Sequence, residues 1–155
     1  MKINDLIEKC METSGISMKK GLFCTELILH QADGRGSMMF FPLFPGVTLA
    51  YIFVNSPNWP APDLDKNSSN NKKGPLIINY CMSGRCELVL NTSNYVYLTE
   101  NQLSVTENYA QNQYLYPGRI YEGMEFFIDS NTIAQEGSYL NRDFHLDLAK
   151  IPDRY

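Results

Sequence analysis

Histidine is nearly missing from this sequence. The 155 residues hold two, His30 and His145, with none between them. A catalytic metal site draws on about three protein ligands, commonly histidines with a carboxylate, so the middle of the chain cannot build a three-histidine centre, and neither metal nor cofactor is expected. Cysteines at metal or redox spacing are lacking too. Cys10, Cys24, Cys81 and Cys86 include no CxxC pair, which weakens zinc and thiol-redox readings alike; they read as small buried hydrophobes. No apolar run reaches 18 residues, so no transmembrane helix and no membrane partner are expected. The opening stretch MKINDLIEKCMETSG carries acids throughout and no continuous apolar core, unlike a secretory signal. A cytoplasmic location with reduced thiols is the expectation.

Clustered positive charge is lacking as well. The net charge is −4, and the only basic doublets are Lys19-Lys20 and Lys72-Lys73. A surface that grips nucleic acid concentrates Lys and Arg to displace counterions. Scattered doublets read as solvated loops, so this chain by itself is not expected to bind DNA.

What is present is a β-rich pattern. Hydrophobic residues make up 44% of the chain, with ten Tyr and eight Phe, and aromatic side chains favour strands. The length suits one domain that buries roughly 70% of its unfolded surface. Residues 3–12 place Ile3, Leu6, Ile7, Cys10 and Met11 at spacings of three and four, which predicts an amphipathic helix ended by Ser14-Gly15. The helical arm is expected over 1–20. Strands are predicted over 23–30, 37–43 and 47–54, punctuated by Gly34, Gly36, Pro42, Pro45 and Gly46. Residues 55–74 read as one long loop rich in Pro, Asn, Ser and Lys, of a length that is often functional.

Beyond it the strands come quickly: 76–82, a tight turn at Ser83-Gly84, then Cys86, Leu88 and Leu90, a turn at 91–94, then 95–98, 103–106, 114–116 and 120–129. Short strands at 8–12-residue spacing predict an all-β sandwich or barrel, here over 21–129. The tail, 130–155, predicts short helices, with Asp129-Ser130 as N-cap, a turn over 132–136, and a second segment over 143–151 that ends at Pro152.

An antiparallel barrel of eight or more strands with a Gly-anchored hairpin resembles a cupin-type jelly roll (double-stranded β-helix). The wording is more specific. Asn79-Tyr80-Cys81, Gly84, Glu87, the strand 95–98 and Gln102–Ser104 in order, then Tyr116-Pro117, Tyr121-Glu122-Gly123 and Ile128-Asp129, resemble the N-terminal domain of AraC-type transcriptional regulators, particularly those of Gram-positive anaerobes. The resemblance covers about residues 20–150. It implies a cupin-like sensor and dimerisation domain, with DNA bound through a C-terminal helix-turn-helix domain outside this chain. The tail would then lead toward a linker. Cupins that carry metal place a His pair and a Glu before the central Gly; here residues 75–82 offer only Pro, Leu, Ile, Asn, Tyr, Cys and Met. The implied domain is therefore metal-free and not an enzyme. The alternative is a stand-alone, metal-independent cupin isomerase or epimerase acting on sugars.

Candidate residues follow from the strand faces. His30 ends a strand and reads either as a ligand or pH-sensing group or as a satisfied histidine. Cys81 and Cys86 flank the Gly84 hairpin without a base at hand. Glu122 and Glu125, at odd spacing, point to opposite faces and form no carboxylate dyad. Along 76–82, Leu76, Ile78, Tyr80 and Met82 oppose Ile77, Asn79, Cys81 and Ser83; along 120–128, Tyr121, Gly123, Glu125 and Phe127 oppose Ile120, Glu122, Met124, Phe126 and Ile128. A pocket with aromatic walls suits a small-molecule effector, whereas small barrels often just fill. The candidates for a pocket or its rim are Tyr51, Asn79, Tyr80, Arg85, Tyr121 and Glu122. Tyr139, Leu140, Phe144, Leu148 and Ile151 form a short apolar stripe that packs either on the barrel or on a twin chain, the expected homodimer.

Overall fold

A computed structural model describes residues 4, 7, 8, 10, 15–60, 75–89, 95–107, 113–129 and 131–133. Ten strands appear: β1 (Ile16–Lys20), β2 (Thr25–Gln31), β3 (Gly34–Phe44), β4 (Val47–Asn55), β5 (Asn58–Trp59), β6 (Leu76–Val89), β7 (Tyr95–Thr99), β8 (Leu103–Glu107), β9 (Gln113–Leu115) and β10 (Ile120–Ile128). All pairings are antiparallel. One sheet, here sheet A, runs β1-β2-β3-β4-β10-β6-β8, and a smaller sheet B runs β5-β9-β6-β7.

The two sheets share one rolled ribbon. β4 continues into β5, β10 is preceded by β9, β8 by β7, and β6 serves both sheets unbroken. Each of these four lines turns from sheet A to sheet B at the same level, at Ser56 and Pro57, at Tyr116 to Arg119, at Gly84, and at Glu100 to Gln102. Main-chain hydrogen bonds tie neighbouring corners together: Ser56 N–H to the Arg119 carbonyl (2.9 Å), Tyr116 N–H to that of Pro57 (2.7 Å), and Cys81 N–H to that of Gln102 (3.0 Å). Left-handed residues sit at three of the corners, with φ of 85° at Gly84, 63° at Asn101 and 64° at Arg119. A four-stranded ribbon folded across its width in this way is a jelly roll, as the pattern of strands predicts.

The tight turn expected at Ser83-Gly84 does not exist. β6 runs 14 residues through it, and the register against β10 slips between Glu122 and Gly123. One extra residue on β6 makes a bulge, which bends and twists a strand without ending it. Gly84 is needed there because a Cβ would strike the Ile120 carbonyl at a positive φ. From sequence, a Ser-Gly pair between apolar alternations looks the same for a hairpin as for a bulge.

Other boundaries shift less. β1 begins at Ile16 and pairs with β2 over its whole length, so the N-terminal arm is a helical turn followed by an edge strand. Among its described residues Ile7 and Cys10 are buried and join the core, while Asn4 and Glu8 are exposed. The predicted loop at 55–74 contains β5 near its start, where Trp59 is buried; 61–74 lie outside the described residues. Past β10, the Asp129 carboxylate accepts bonds from the Asn131 and Thr132 amides and the Thr132 hydroxyl, the expected cap. The later tail, with Tyr139, Leu140, Phe144, His145, Leu148 and Ile151, lies outside the described residues. No described helix is long and apolar enough to cross a membrane.

Candidate functional site

Both faces of sheet A are apolar, and the core takes the face that is more mixed. On β6, Ile77, Asn79 and Cys81 are buried; on β10, Tyr121, Gly123 and Glu125 share the same inward side. Register places Glu125 directly across from Asn79 on one side and Ala50 on the other, and Asn79 across from Ser104. A carboxylate, an amide and a hydroxyl therefore lie in one inner row.

These groups form a buried chain of hydrogen bonds. The Tyr121 hydroxyl donates to Asn79 Oδ1 (2.7 Å), and Asn79 Nδ2 donates to Glu125 Oε1 (2.8 Å). The Tyr-x-Gly-x-Glu spacing makes this possible. Gly123 sits between Tyr121 and Glu125 on the same face, and the Tyr121 hydroxyl occupies the place a Cβ at Gly123 would take. The Tyr121 ring also stacks on Tyr116, with centroids 5.1 Å apart.

Glu125 is 2% exposed, and among the described residues its Oε2 has no hydrogen-bond partner. Burial strips the carboxylate of solvent, and this desolvation disfavours the ionised form and pushes the carboxyl up to about 8. Burial, with Glu125 as a further cause, also pushes the Tyr121 phenol and the Cys86 thiol up. Cys81 is raised by burial, and its thiol points at the Ser83 and Gly84 carbonyls. These thiols and the phenol are held neutral, the opposite of an activated nucleophile. Next to the chain lies a cavity of about 20 Å³, bounded by Asn79, Cys86 and Tyr114 on one side and Val96, Leu98, Ser104 and Thr106 of β7 and β8 on the other. That is room for one water.

The six sequence candidates do not converge. Asn79 and Tyr121 meet inside. Tyr51 and Glu122 meet on the outer face of sheet A, where the Tyr51 hydroxyl donates to Glu122 Oε1; that bond, more than burial, raises the phenol. Tyr80 is on the same outer face and donates to Asn101 (3.1 Å). Arg85 stands on the outside of sheet B, paired with Glu87 at 2.6 Å and lying 4.7 Å over the Tyr97 ring. Glu125, the centre of the inner chain, was not among the candidates, although odd spacing from Glu122 correctly puts the two on opposite faces. Its signal was the inward parity it shares with Tyr121 and Gly123. His30 is exposed and bonded to Ser17 Oγ (3.0 Å), a satisfied strand-end histidine. Among the described residues no three His, Cys, Asp or Glu side chains group as metal ligands would.

No family model matches the sequence, and no curated protein matches it. Solved structures of similar shape include a cupin 2 conserved barrel domain protein from Salinispora arenicola, 13% identical, with a TM-score of 0.47 over 70% of this chain and 86% of that one. The plu4264 protein from Photorhabdus luminescens is 12% identical, with a TM-score of 0.45 over 74% and 90%. The EutQ protein of Clostridium difficile is 9% identical, with a TM-score of 0.43 over 62% and 71%. These scores lie below 0.5, so the fold assignment rests on the strand order and the aligned corners.

Proposed function

We propose that this jelly roll is the metal-free effector-sensing and dimerisation domain of an AraC-type transcriptional regulator. In this reading DNA contact belongs to a helix-turn-helix domain elsewhere in the polypeptide. The observation that supports sensing is the inner chain of Asn79, Tyr121 and Glu125. An unpartnered, fully buried carboxylate oxygen costs stability, and proteins keep such groups where a function uses them. Here the use is recognition: the carboxyl keeps its proton at neutral pH while Oε1 accepts from Asn79, so a small polar effector that brings an acceptor to the Glu125 Oε2 hydroxyl completes the network. The space beside it holds only a water, so a larger effector has to shift β7 and β8, which form the outer wall. That movement is a natural way to pass binding on to a partner domain.

The test has two arms. A thermal-shift screen of sugars, bile acids and aromatic metabolites is expected to give a compound that stabilises the wild-type chain and loses its effect in Glu125→Leu. Screens without a single stabilising compound would refute sensing. Sequencing the coding region past Tyr155 is expected to reveal a helix-turn-helix domain within ~100 residues, and a stop codon there refutes the regulator assignment.

One observation favours the rival reading, a metal-independent isomerase or epimerase. A carboxyl near 8 is matched to acid–base work at neutral pH. Turnover of any sugar or keto acid by the isolated chain, abolished by Glu125→Gln, would select that reading instead.

A further inference from the structure

The inner row that holds Glu125 continues onto the β7–β8 hairpin. Glu125 of β10, Asn79 of β6 and Ser104 of β8 stand in register, each strand about 4.8 Å from the next. Among the described residues β7 and β8 pair with β6 and with no other strand. The cavity of about 20 Å³ lies under this hairpin. Asn79, Ser104 and Thr106 give it polar walls, and Leu88, Leu98 and Tyr114 give it apolar ones. The Asn79 amide is fixed in orientation, because its Oδ1 accepts the Tyr121 hydroxyl and Nδ2 donates one hydrogen to Glu125 Oε1. Two groups of the row are still uncommitted among the described residues: Glu125 Oε2, on a side chain 2% exposed, and the second Nδ2 hydrogen of Asn79. The interior also carries no positive charge. Its buried polar residues are Thr48, Ser56, Asn79 and Glu125, so among the described residues no lysine, arginine or histidine is buried.

We propose that this interior site takes an uncharged ligand, held by a carbonyl or hydroxyl oxygen at Glu125 Oε2 and Asn79 Nδ2 with Ser104 as a further contact, and turns away organic ions. The proposal names the effector class of the sensing site read above and rests on that reading. An anion entering the row would give up its water beside a carboxyl and meet no counter-charge, the costliest form of burial. That holds in either protonation state of Glu125. An ammonium would draw Glu125 into a buried ion pair, in which desolvation of two ions offsets the attraction, and Asn79 would present it with an N–H. An uncharged oxygen incurs neither cost. It accepts from the Glu125 hydroxyl, which keeps its proton at neutral pH, and from the second Asn79 hydrogen. Ser104, across the ladder from Asn79, can donate or accept. The cavity holds one water, so the ligand's oxygen takes that place and moves in toward Glu125. Its body lifts the hairpin, which β6 alone anchors among the described strands, and rests on the apolar wall.

The test uses probes that share a skeleton and differ in charge: benzamide against benzoate and benzylammonium, and a bile acid against its primary amide, with neutral sugars alongside. Each is titrated into the full 155-residue chain at pH 7, by calorimetry and by thermal shift, and then into Glu125→Leu and Ser104→Ala. The compounds that bind are expected to be uncharged, with any amide that binds at least about tenfold tighter than its acid or ammonium counterpart. Glu125→Leu should weaken them at least about tenfold and Ser104→Ala about three- to tenfold, the range of one or two hydrogen bonds. Circular dichroism checks that each variant folds, and Ser104→Ala carries the test should Glu125→Leu misfold. An acid or ammonium that binds as well as its uncharged counterpart, and weakens in the variants, overturns the proposal and leaves sensing standing. Uncharged compounds that bind both variants as tightly as wild type overturn it too, because they sit away from this row. A chain that binds none of the probes and none of the compounds of the wider screen loses the sensing role, and this proposal with it.

Discussion

Glu125→Gln should make this protein more stable at neutral pH, although it alters a hydrogen-bonded group at the centre of the core. The carboxyl titrates near 8 when folded, against 4.5 in the ordinary state. Between those values the native state holds a proton that the unfolded chain has given up. Stability therefore falls as pH rises through that window, and the protonated form's full stability is present only below about 4.5. At about 1.4 kcal/mol per pH unit, the gap bounds the loss near 5 kcal/mol, and relaxation around the charge reduces it to on the order of 2–5 kcal/mol. For a domain of this size that is roughly 5–15 °C in Tm. The groups packed nearby do not titrate in the window. Cys86 and Tyr121 are pushed up and stay neutral, and Asn79 carries no proton to lose. Gln keeps an oxygen to accept the Asn79 amide and removes the charge. Urea unfolding at pH 5 and pH 8 should thus show a wild type that loses stability with pH and a Glu125→Gln variant that loses much less. The reasoning fails if wild type is equally stable at both values, or if the variant reproduces the wild-type loss.

Three further outcomes separate the inner face from the outer. Asn79→Ala removes a partner of Glu125 Oε1 and the acceptor of the Tyr121 hydroxyl, and should cost about 2–4 kcal/mol in urea unfolding at pH 7. Tyr51→Phe removes the side-chain bond to Glu122 on the outer face, where solvent competes, and should cost less than about 1 kcal/mol in the same assay. Gly84→Ala puts a Cβ at a positive φ against the Ile120 carbonyl and should cost at least about 2 kcal/mol; a neutral result would mean that β6 does not bend through Gly84.

The strands and their class were legible in the sequence because alternation and turn residues are local. β2, β3, β4, β7, β8 and β10 fall within a few residues of their predicted bounds. What alternation could not reveal was continuity. Ser83-Gly84 carries the signature of a hairpin, yet the chain goes straight on, because the closing partner comes from β10, some 40 residues away. β5 was hidden for the same reason: a two-residue strand has no period, and it exists only because β9 runs alongside. The candidate site was half legible. Asn79 and Tyr121 stood out as polar atoms on inward-capable strands, and Glu125 was set aside once it failed to pair with Glu122. Its true partner is a neutral amide across the ladder, which no intrastrand spacing encodes.

The buried place of Glu125 and the apolar outer face of sheet A have one cause. In a sheet with a single buried face, hydrophobicity tells inside from outside. On β6 the rule inverts: the uniformly apolar parity, Ile78, Tyr80 and Met82, faces outward, and the parity with Asn79 and Cys81 faces the core. On β10 the inward parity carries Glu125 while the outward one carries Met124 and Phe126. An arrangement that places a carboxylate inside and apolar side chains outside is unfavourable for an isolated monomer on both counts. The interior cost falls when an acceptor reaches the protonated Glu125 Oε2. Strands β6 and β10 carry both features on opposite sides of the same backbone.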